Sequence, residues 1–210
     1  LRPVAYGETL APHPALQVRF LDAGHILGSA IVEVKGGGGT LVFSGDLGQP
    51  ARPVMNDPTP LREADVLVVE STYGNRLDRS LRETENELVE ALTRTLAGRR
   101  GNVIIPAFAV GRTQELIYVL AGLVRAGRLP AMRLYVDSPM AQAATRITLQ
   151  HEGLLDEETR DLIAWQRAHP KLLDIHFVAD YQESMALAEV RGGAVILSAS
   201  GMCEAGRIKY

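Results

Sequence analysis

The sequence predicts an α/β protein in two parts, a strand-rich segment over residues 1–85 and a doubly wound parallel sheet over residues 86–210. Three observations predict it. In the first part, short β-branched runs are separated by Gly- and Pro-rich turns. From about residue 80, short apolar runs alternate with stretches whose apolar residues recur at helical spacing. The composition, 46% hydrophobic and 22% charged over 210 residues, is that of a globular chain able to bury a core. Disorder, collagen and coiled coil are thereby excluded.

Residues 16–21 and 30–34 are β-rich runs, and the second leads into Gly36-Gly37-Gly38-Gly39. Four glycines have no side chains to pack and tolerate positive φ, so they predict a turn, after which residues 40–43 complete a hairpin. The run is not a phosphate loop: it joins two strands and no Lys-Ser or Lys-Thr follows. Residues 47–64 hold four prolines and predict an irregular crossing segment. Val66-Leu67-Val68-Val69 is continuously apolar and predicts a strand buried on both faces.

Ser80-Leu81-Arg82-Glu83 is a capping-box sequence, and Leu88, Ala91, Leu92 and Leu96 follow at helical spacing. A strand is expected at 102–106. A helix at 112–125 follows, with Leu116, Val119, Leu120 and Leu123 on its apolar face. Further strands are expected at 133–136, 175–178 and 195–198, with helices near 139–150, 156–168 and 182–190. The change of texture at 80–86 sets the expected boundary.

The formal net charge is −3, so no strongly basic body advertises nucleic acid, and a polyanion would have to meet a local arginine patch. One cysteine, Cys203, excludes an intramolecular disulfide framework and fits a reducing cytoplasm. No apolar run reaches the roughly 18–20 residues of a membrane span. The chain opens on Leu1 without Met, which suggests a piece of a longer protein.

Ligands of parallel sheets collect in the loops beyond the carboxyl ends of strands. Asp46 follows one expected strand, Glu70 a second, Asp137 and Ser138 a third, Ser198 and Ser200 a fourth. Each alone reads as a helix cap or turn former. Four together point to a site, more so with His25 in a turn between Gly24 and Gly28. His13, His151, His169 and His176 have no such setting and read as structural or exposed.

Gly24-His25-Ile26-Leu27-Gly28-Ser29-Ala30, Ser44-Gly45-Asp46-Leu47-Gly48 and Glu70-Ser71-Thr72-Tyr73-Gly74 resemble motifs of the metallo-β-lactamase-fold nucleases of the β-CASP group. So do Pro106-Ala107-Phe108-Ala109-Val110-Gly111-Arg112-Thr113-Gln114-Glu115, Asp137-Ser138-Pro139-Met140-Ala141 and Ser200-Gly201-Met202-Cys203-Glu204-Ala205-Gly206-Arg207, in the same order. The likeness is greatest to the RNA-processing exonuclease type and spans the chain. It implies part of a metallo-β-lactamase αββα half over 1–85 and a β-CASP domain, incomplete at its C-terminal end, over 86–210.

The resemblance also implies a zinc-dependent ribonuclease. His25 would ligate zinc, Asp46 would bridge two zinc ions, and Glu70 would support a catalytic histidine. Two metals lower the pKa of a bridging water and clamp both oxygens of a phosphodiester in displacement. A carboxylate suits the bridge and imidazole the outer positions. In the β-CASP part, Arg112, Ser138, Ser198 and Ser200 would meet RNA phosphates. Taken from the residues alone, Arg112 pairs with Glu115 or Asp137 and the serines cap helices.

The sequence departs from the family pattern in two places. The paired H-x-H-x-D-H motif is absent, since no two histidines lie within six residues of each other, and it would have to lie upstream of Leu1. The chain stops at Tyr210, where the family continues into a histidine. Two zinc ligands make a poor site. The expectation is therefore weak or no zinc binding and no nuclease activity for these 210 residues alone, within a parent that is a cytoplasmic hydrolase acting on RNA, with no membrane partner. The resemblance also allows a homodimer. Two rival readings stand beside it, a catalytically dead β-CASP subunit that scaffolds a processing complex and a metallo-hydrolase of small molecules.

Overall fold

The computed structural model describes residues 2–77, 79–98 and 101–209; Leu1 and Tyr210, the ends of the two predicted segments, lie outside the described residues. The chain divides into two units, Leu1–Asp78 and Arg79–Tyr210. Among the described residues, no helix is long and apolar enough to cross a membrane.

The first unit is a five-stranded sheet in sequence order: β1 (Thr9–His13), β2 (Leu16–Asp22), β3 (Ala30–Gly36), β4 (Gly39–Phe43) and β5 (Val66–Val68). β1 to β4 form an antiparallel meander, and β5 adds parallel to β4. The glycine turn makes the β3–β4 hairpin, pairing Gly36 with Gly39. Alternation along β2, β3 and β4 sends Leu21, Ile31 and Val42 into one small core with Ala23. β1 was not expected. It contains Pro12, which has no N–H for a ladder, and is tolerated because β1 is the edge strand and its register breaks between Leu10 and His13.

The reading of residues 66–69 as a strand buried on both faces is corrected. β5 is the opposite edge of the sheet, and Val66, Leu67 and Val68 are each 50–55% exposed. An uninterrupted apolar run records what a strand is able to bury, and here β4 is its one strand neighbour.

The second unit begins with α1 (Leu81–Thr93). The Ser80 hydroxyl accepts from the Glu83 N–H, and the Glu83 carboxylate accepts from the Ser80 N–H. This reciprocal cap starts the helix several residues before the expected 85/86 boundary, and Leu92 is fully buried in the second unit's core. The whole helix therefore belongs to that unit, which explains a division at 78/79.

The remaining elements are β6 (Val103–Pro106), α2 (Arg112–Arg125), β7 (Met132–Asp137), α3 (Pro139–Gln150), α4 (Glu157–Ala168), β8 (Leu173–Phe177), α5 (Tyr181–Ala186) and β9 (Ala194–Ser198). The sheet is wholly parallel, in the order β6-β9-β7-β8. β9 is thus the last strand in sequence but central in space, and all five of its residues are buried. Leu134, Val136, Leu173 and Val195 form the interior with Leu120 of α2, all completely buried. Each such side chain contributes about 1.5–3 kcal/mol. Of the expected apolar face of α2, Leu120 and Leu123 are buried, while Leu116 and Val119 pack at its margin.

Candidate functional site

In the first unit, β2 and β4 run the same way because each is antiparallel to β3, and β5 is parallel to β4. The ends of all three therefore reach one edge of the sheet. His25 lies three residues past β2, Asp46 three past β4 and Glu70 two past β5. The topology thus places the three residues that the sequence reading selected in loops at one edge of the sheet, after three different strands.

The loops at this edge are fastened to each other. Gly48 N–H donates to the carbonyl of Ala23 at 2.8 Å, joining the Asp46 loop to the His25 loop. No side chain fits at that crossing: a Cβ on Gly48 would overlap the Gly24 carbonyl and stand 2.9 Å from the His25 nitrogen. The Ser29 hydroxyl accepts from the backbone N–H of His25 at 3.1 Å and of Ile26 at 3.3 Å, closing the turn that carries the imidazole. Asp22 accepts from Gly24 N–H at 2.8 Å on the other side. Burial pushes the Asp22 carboxyl up, and that N–H opposes the shift.

Glu70 couples the remaining two loops. Its carboxylate accepts from the N–H of Leu47, next to Asp46, at 2.7 Å, and its own N–H donates to the Ser44 hydroxyl at 3.1 Å. The Leu47 N–H holds the Glu70 carboxyl below the usual carboxylate range, helped by the Thr72 hydroxyl and, more weakly, by the His25 imidazole. Glu70 is half-buried, whereas His25 and Asp46 are exposed. Sequence reasoning missed the parts played by Ser29 and Gly48. The close pairing of each with a glycine or histidine in the motifs was the available signal.

The second unit collects polar groups at the carboxyl ends of its strands, where Pro106, Ser198 and Asp137 stand side by side in register. Arg112 opens α2 and pairs with Glu115 at 2.6 Å, with its side chain 54% exposed. The Ser138 hydroxyl accepts from Ala141 N–H and caps α3. These are the partners that the residues alone suggested for Arg112 and Ser138. Ser198 is buried, and its hydroxyl oxygen, out of contact with solvent, has no hydrogen-bond partner among the described residues. Ser200 is half-buried, and its backbone N–H donates to Ala205.

Among the described residues Asp137 is bonded elsewhere than to Arg112, and its side chain is 5% exposed. Its carboxylate accepts from the Arg207 guanidinium at 2.9 Å and from the Ser184 hydroxyl at 2.8 Å. The same guanidinium donates to the carbonyls of Val178 and Ala179. Arg207 thereby clamps the segment after β9 to the ends of β7 and β8. Arg207 was visible in a motif, but only the fold pairs it with a residue seventy positions away. The other histidines take structural or exposed places: His151 and His169 terminate α3 and α4, His176 pairs with Asp174 and stacks on Tyr135, and His13 lies exposed on the edge strand.

Residues 113–210 match the Beta-Casp domain model. Over residues 113–210 the chain carries a Beta-Casp domain. Along its whole length it is 40% identical to Ribonuclease TTHA0252 of Thermus thermophilus, covering 48% of that protein. It is 31% identical over 199 residues to an RNase J-like protein of Methanocaldococcus jannaschii, covering 93% of this chain and 45% of the relative. Against the transcription termination factor FttA of Pyrococcus abyssi it is 35% identical over 207 residues, 96% of this chain and 32% of the relative. The chain therefore spans a third to a half of the length of these curated relatives.

Zinc takes imidazole and carboxylate donors, and His25 and Asp46 supply one of each on a shared edge. A catalytic zinc usually has three protein ligands. Among the described residues, no group of three or more His, Cys, Asp or Glu side chains is placed to hold a metal. The residues present do not complete a zinc site by themselves.

Proposed function

We propose that this chain is part of a cytoplasmic, zinc-dependent ribonuclease that hydrolyses RNA phosphodiesters with two metal ions. Residues 1–85 would form the later part of a metallo-β-lactamase segment and residues 86–210 most of a β-CASP domain. The observation that carries the reading is the convergence of His25, Asp46 and Glu70 at one sheet edge, with Glu70 bonded to the residue after Asp46. The names of the relatives, a ribonuclease and an RNase J-like protein, support RNA as substrate.

In this reading His25 and Asp46 are metal ligands, and the remaining ligands come from outside these 210 residues. The bound metals would supply the activated water. Glu70 stays ionised and holds the Leu47 N–H, which fixes the loop that presents Asp46. In the second unit, Arg112, whose side chain is 54% exposed, would meet a phosphate. Its exposed pair with Glu115 is worth about 0.3–0.5 kcal/mol, so a phosphate offering charge-assisted bonds displaces it readily. Ser200, half-buried, would line the same backbone path, whereas the Ser138 hydroxyl is engaged as the cap of α3 and the Ser198 hydroxyl is buried away from solvent.

The test uses the full-length protein with 5′-labelled RNA and zinc. His25→Ala and Asp46→Asn should abolish cleavage while leaving the melting temperature close to that of the parent. Arg112→Ala should weaken RNA binding and flatten its dependence on salt. Undiminished cleavage by the Asp46→Asn protein overturns the proposal.

A further inference from the structure

Phe108 is 56% exposed, yet it is not a loosely held surface side chain. It lies two residues beyond β6 at the carboxyl edge of the parallel sheet, and its backbone is tied down on both sides. The N–H and hydroxyl of Thr113 both donate to its carbonyl, at 3.2 and 2.7 Å. The preceding N–H, of Ala107, donates to Ser198 at 3.0 Å. One edge of the ring lies against bare backbone at Gly201: a Cβ there would stand 3.3 Å from ring atoms Cδ2 and Cε2 and 3.2 Å from the Phe108 nitrogen.

The rest of this loop is fastened from beneath by Gln114, which is buried. Its Oε1 accepts from Gly111 N–H at 2.8 Å, and its Nε2 donates to the Ala109 carbonyl at 3.2 Å and the Thr145 hydroxyl at 2.9 Å. The loop ends in Arg112, whose guanidinium is half exposed. A fixed aromatic ring and a cation four residues further on therefore leave the same rigid turn. Phe108 belongs to neither of the two buried core clusters, so packing within the fold does not account for holding an apolar ring in water.

We propose that Phe108 is a stacking platform for one base of single-stranded RNA, with Arg112 meeting an adjacent phosphate; this rests on the reading of the protein as RNA-directed. Every base has a π-face, so a platform of this kind accepts any sequence, as a processing enzyme needs. Gly201 and Gln114 act as positioning residues: they hold the ring in place before the base arrives, which lowers the ordering cost of binding.

The experiment measures fluorescence anisotropy of the 210-residue chain, at low salt, with a fluorescein-labelled decauridylate and with a matched abasic ribose-phosphate oligomer. Phe108→Ala should weaken decauridylate binding about fivefold to a hundredfold, the range for loss of one base–aromatic stack. Phe108→Trp should retain binding, and Phe108→Leu, apolar but without a π-face, should fall with the alanine protein. The abasic oligomer should not distinguish the alanine protein from its parent. Thermal melts of all three variants should match that of the parent, because the ring is outside the core. If decauridylate binds the alanine or leucine protein as tightly as the parent, the platform is refuted, Phe108 is left as a protein-contact residue, and the RNA reading stands. If the parent chain binds neither oligomer, the RNA reading fails along with the platform.

Discussion

Replacing Arg207 with Met removes one side chain but takes donors from three oxygen acceptors, two of them part-buried. The guanidinium donates to the Asp137 carboxylate at 2.9 Å, to the Val178 carbonyl at 2.9 Å and to the Ala179 carbonyl at 2.8 Å. The Asp137 side chain is 5% exposed and that of Arg207 is 18% exposed, so water cannot replace the lost donors at the carboxylate. Removing one partner of a buried pair leaves an uncompensated charge and costs about 3–5 kcal/mol. For a unit of this size that corresponds to a fall in Tm of about 10–20 °C. Lysine should rescue little, since a single ammonium cannot reproduce a planar fork over three acceptors. Adding Asp137→Asn should recover part of the loss, because the stranded charge is then gone, with a coupling of about 0.5–3 kcal/mol. Urea unfolding followed by circular dichroism on the four proteins of this cycle measures each quantity. In thermal melts of the same proteins, a Tm for Arg207→Met within about 2 °C of the parent, or strict additivity in the cycle, would refute the assignment of Asp137 and Arg207 as one coupled unit.

Three further outcomes concern the first unit. Gly48→Ala should destabilise it by about 1–3 kcal/mol or more, because the new methyl collides with the backbone of Gly24 and wedges the His25 and Asp46 loops apart. Gly37→Ala, with nothing within 4 Å of its added methyl, should stay within about 0.5 kcal/mol of the parent in the same denaturation assay. Glu70 titrates below its ordinary value in the folded chain, so its ionised bond to Leu47 stabilises the fold above that ordinary value, about 4.3, and the contribution is lost as pH falls through the lower folded value. The Tm of Glu70→Gln should accordingly lie below that of the parent by a constant margin near neutral pH, and the two curves should converge as the pH falls below the ordinary carboxylate value. Parallel curves across that range would mean that Glu70 is not held ionised by its neighbours.

Much of this architecture was legible in the order of residues because its causes are local. The Ser80–Glu83 box caps α1 within one turn, the apolar spacing from Leu116 to Leu123 commits α2 to one buried face, and four glycines permit little besides the β3–β4 turn. The position of His25, Asp46 and Glu70 was legible for a related reason: each follows a short β-rich run, and the structure has each just past the end of a strand. Exposure was not legible. Residues 66–69 have the apolarity of a central strand, but whether a strand is central depends on which neighbours the chain places beside it, and β5 received one. The same reason hid β1, where Pro12 is acceptable only at an edge, and the central position of β9, which is reached from the far end of the sequence. Partner choice was hidden likewise. Asp137 looked like a residue for a ligand or for Arg112, but folding sets Arg207 and Ser184 against it, seventy and forty-seven residues away. Periodicity and caps act over a few residues and can be read along the chain; burial, edge position and long-range ion pairing are properties of the closed sheet and exist only once it has formed.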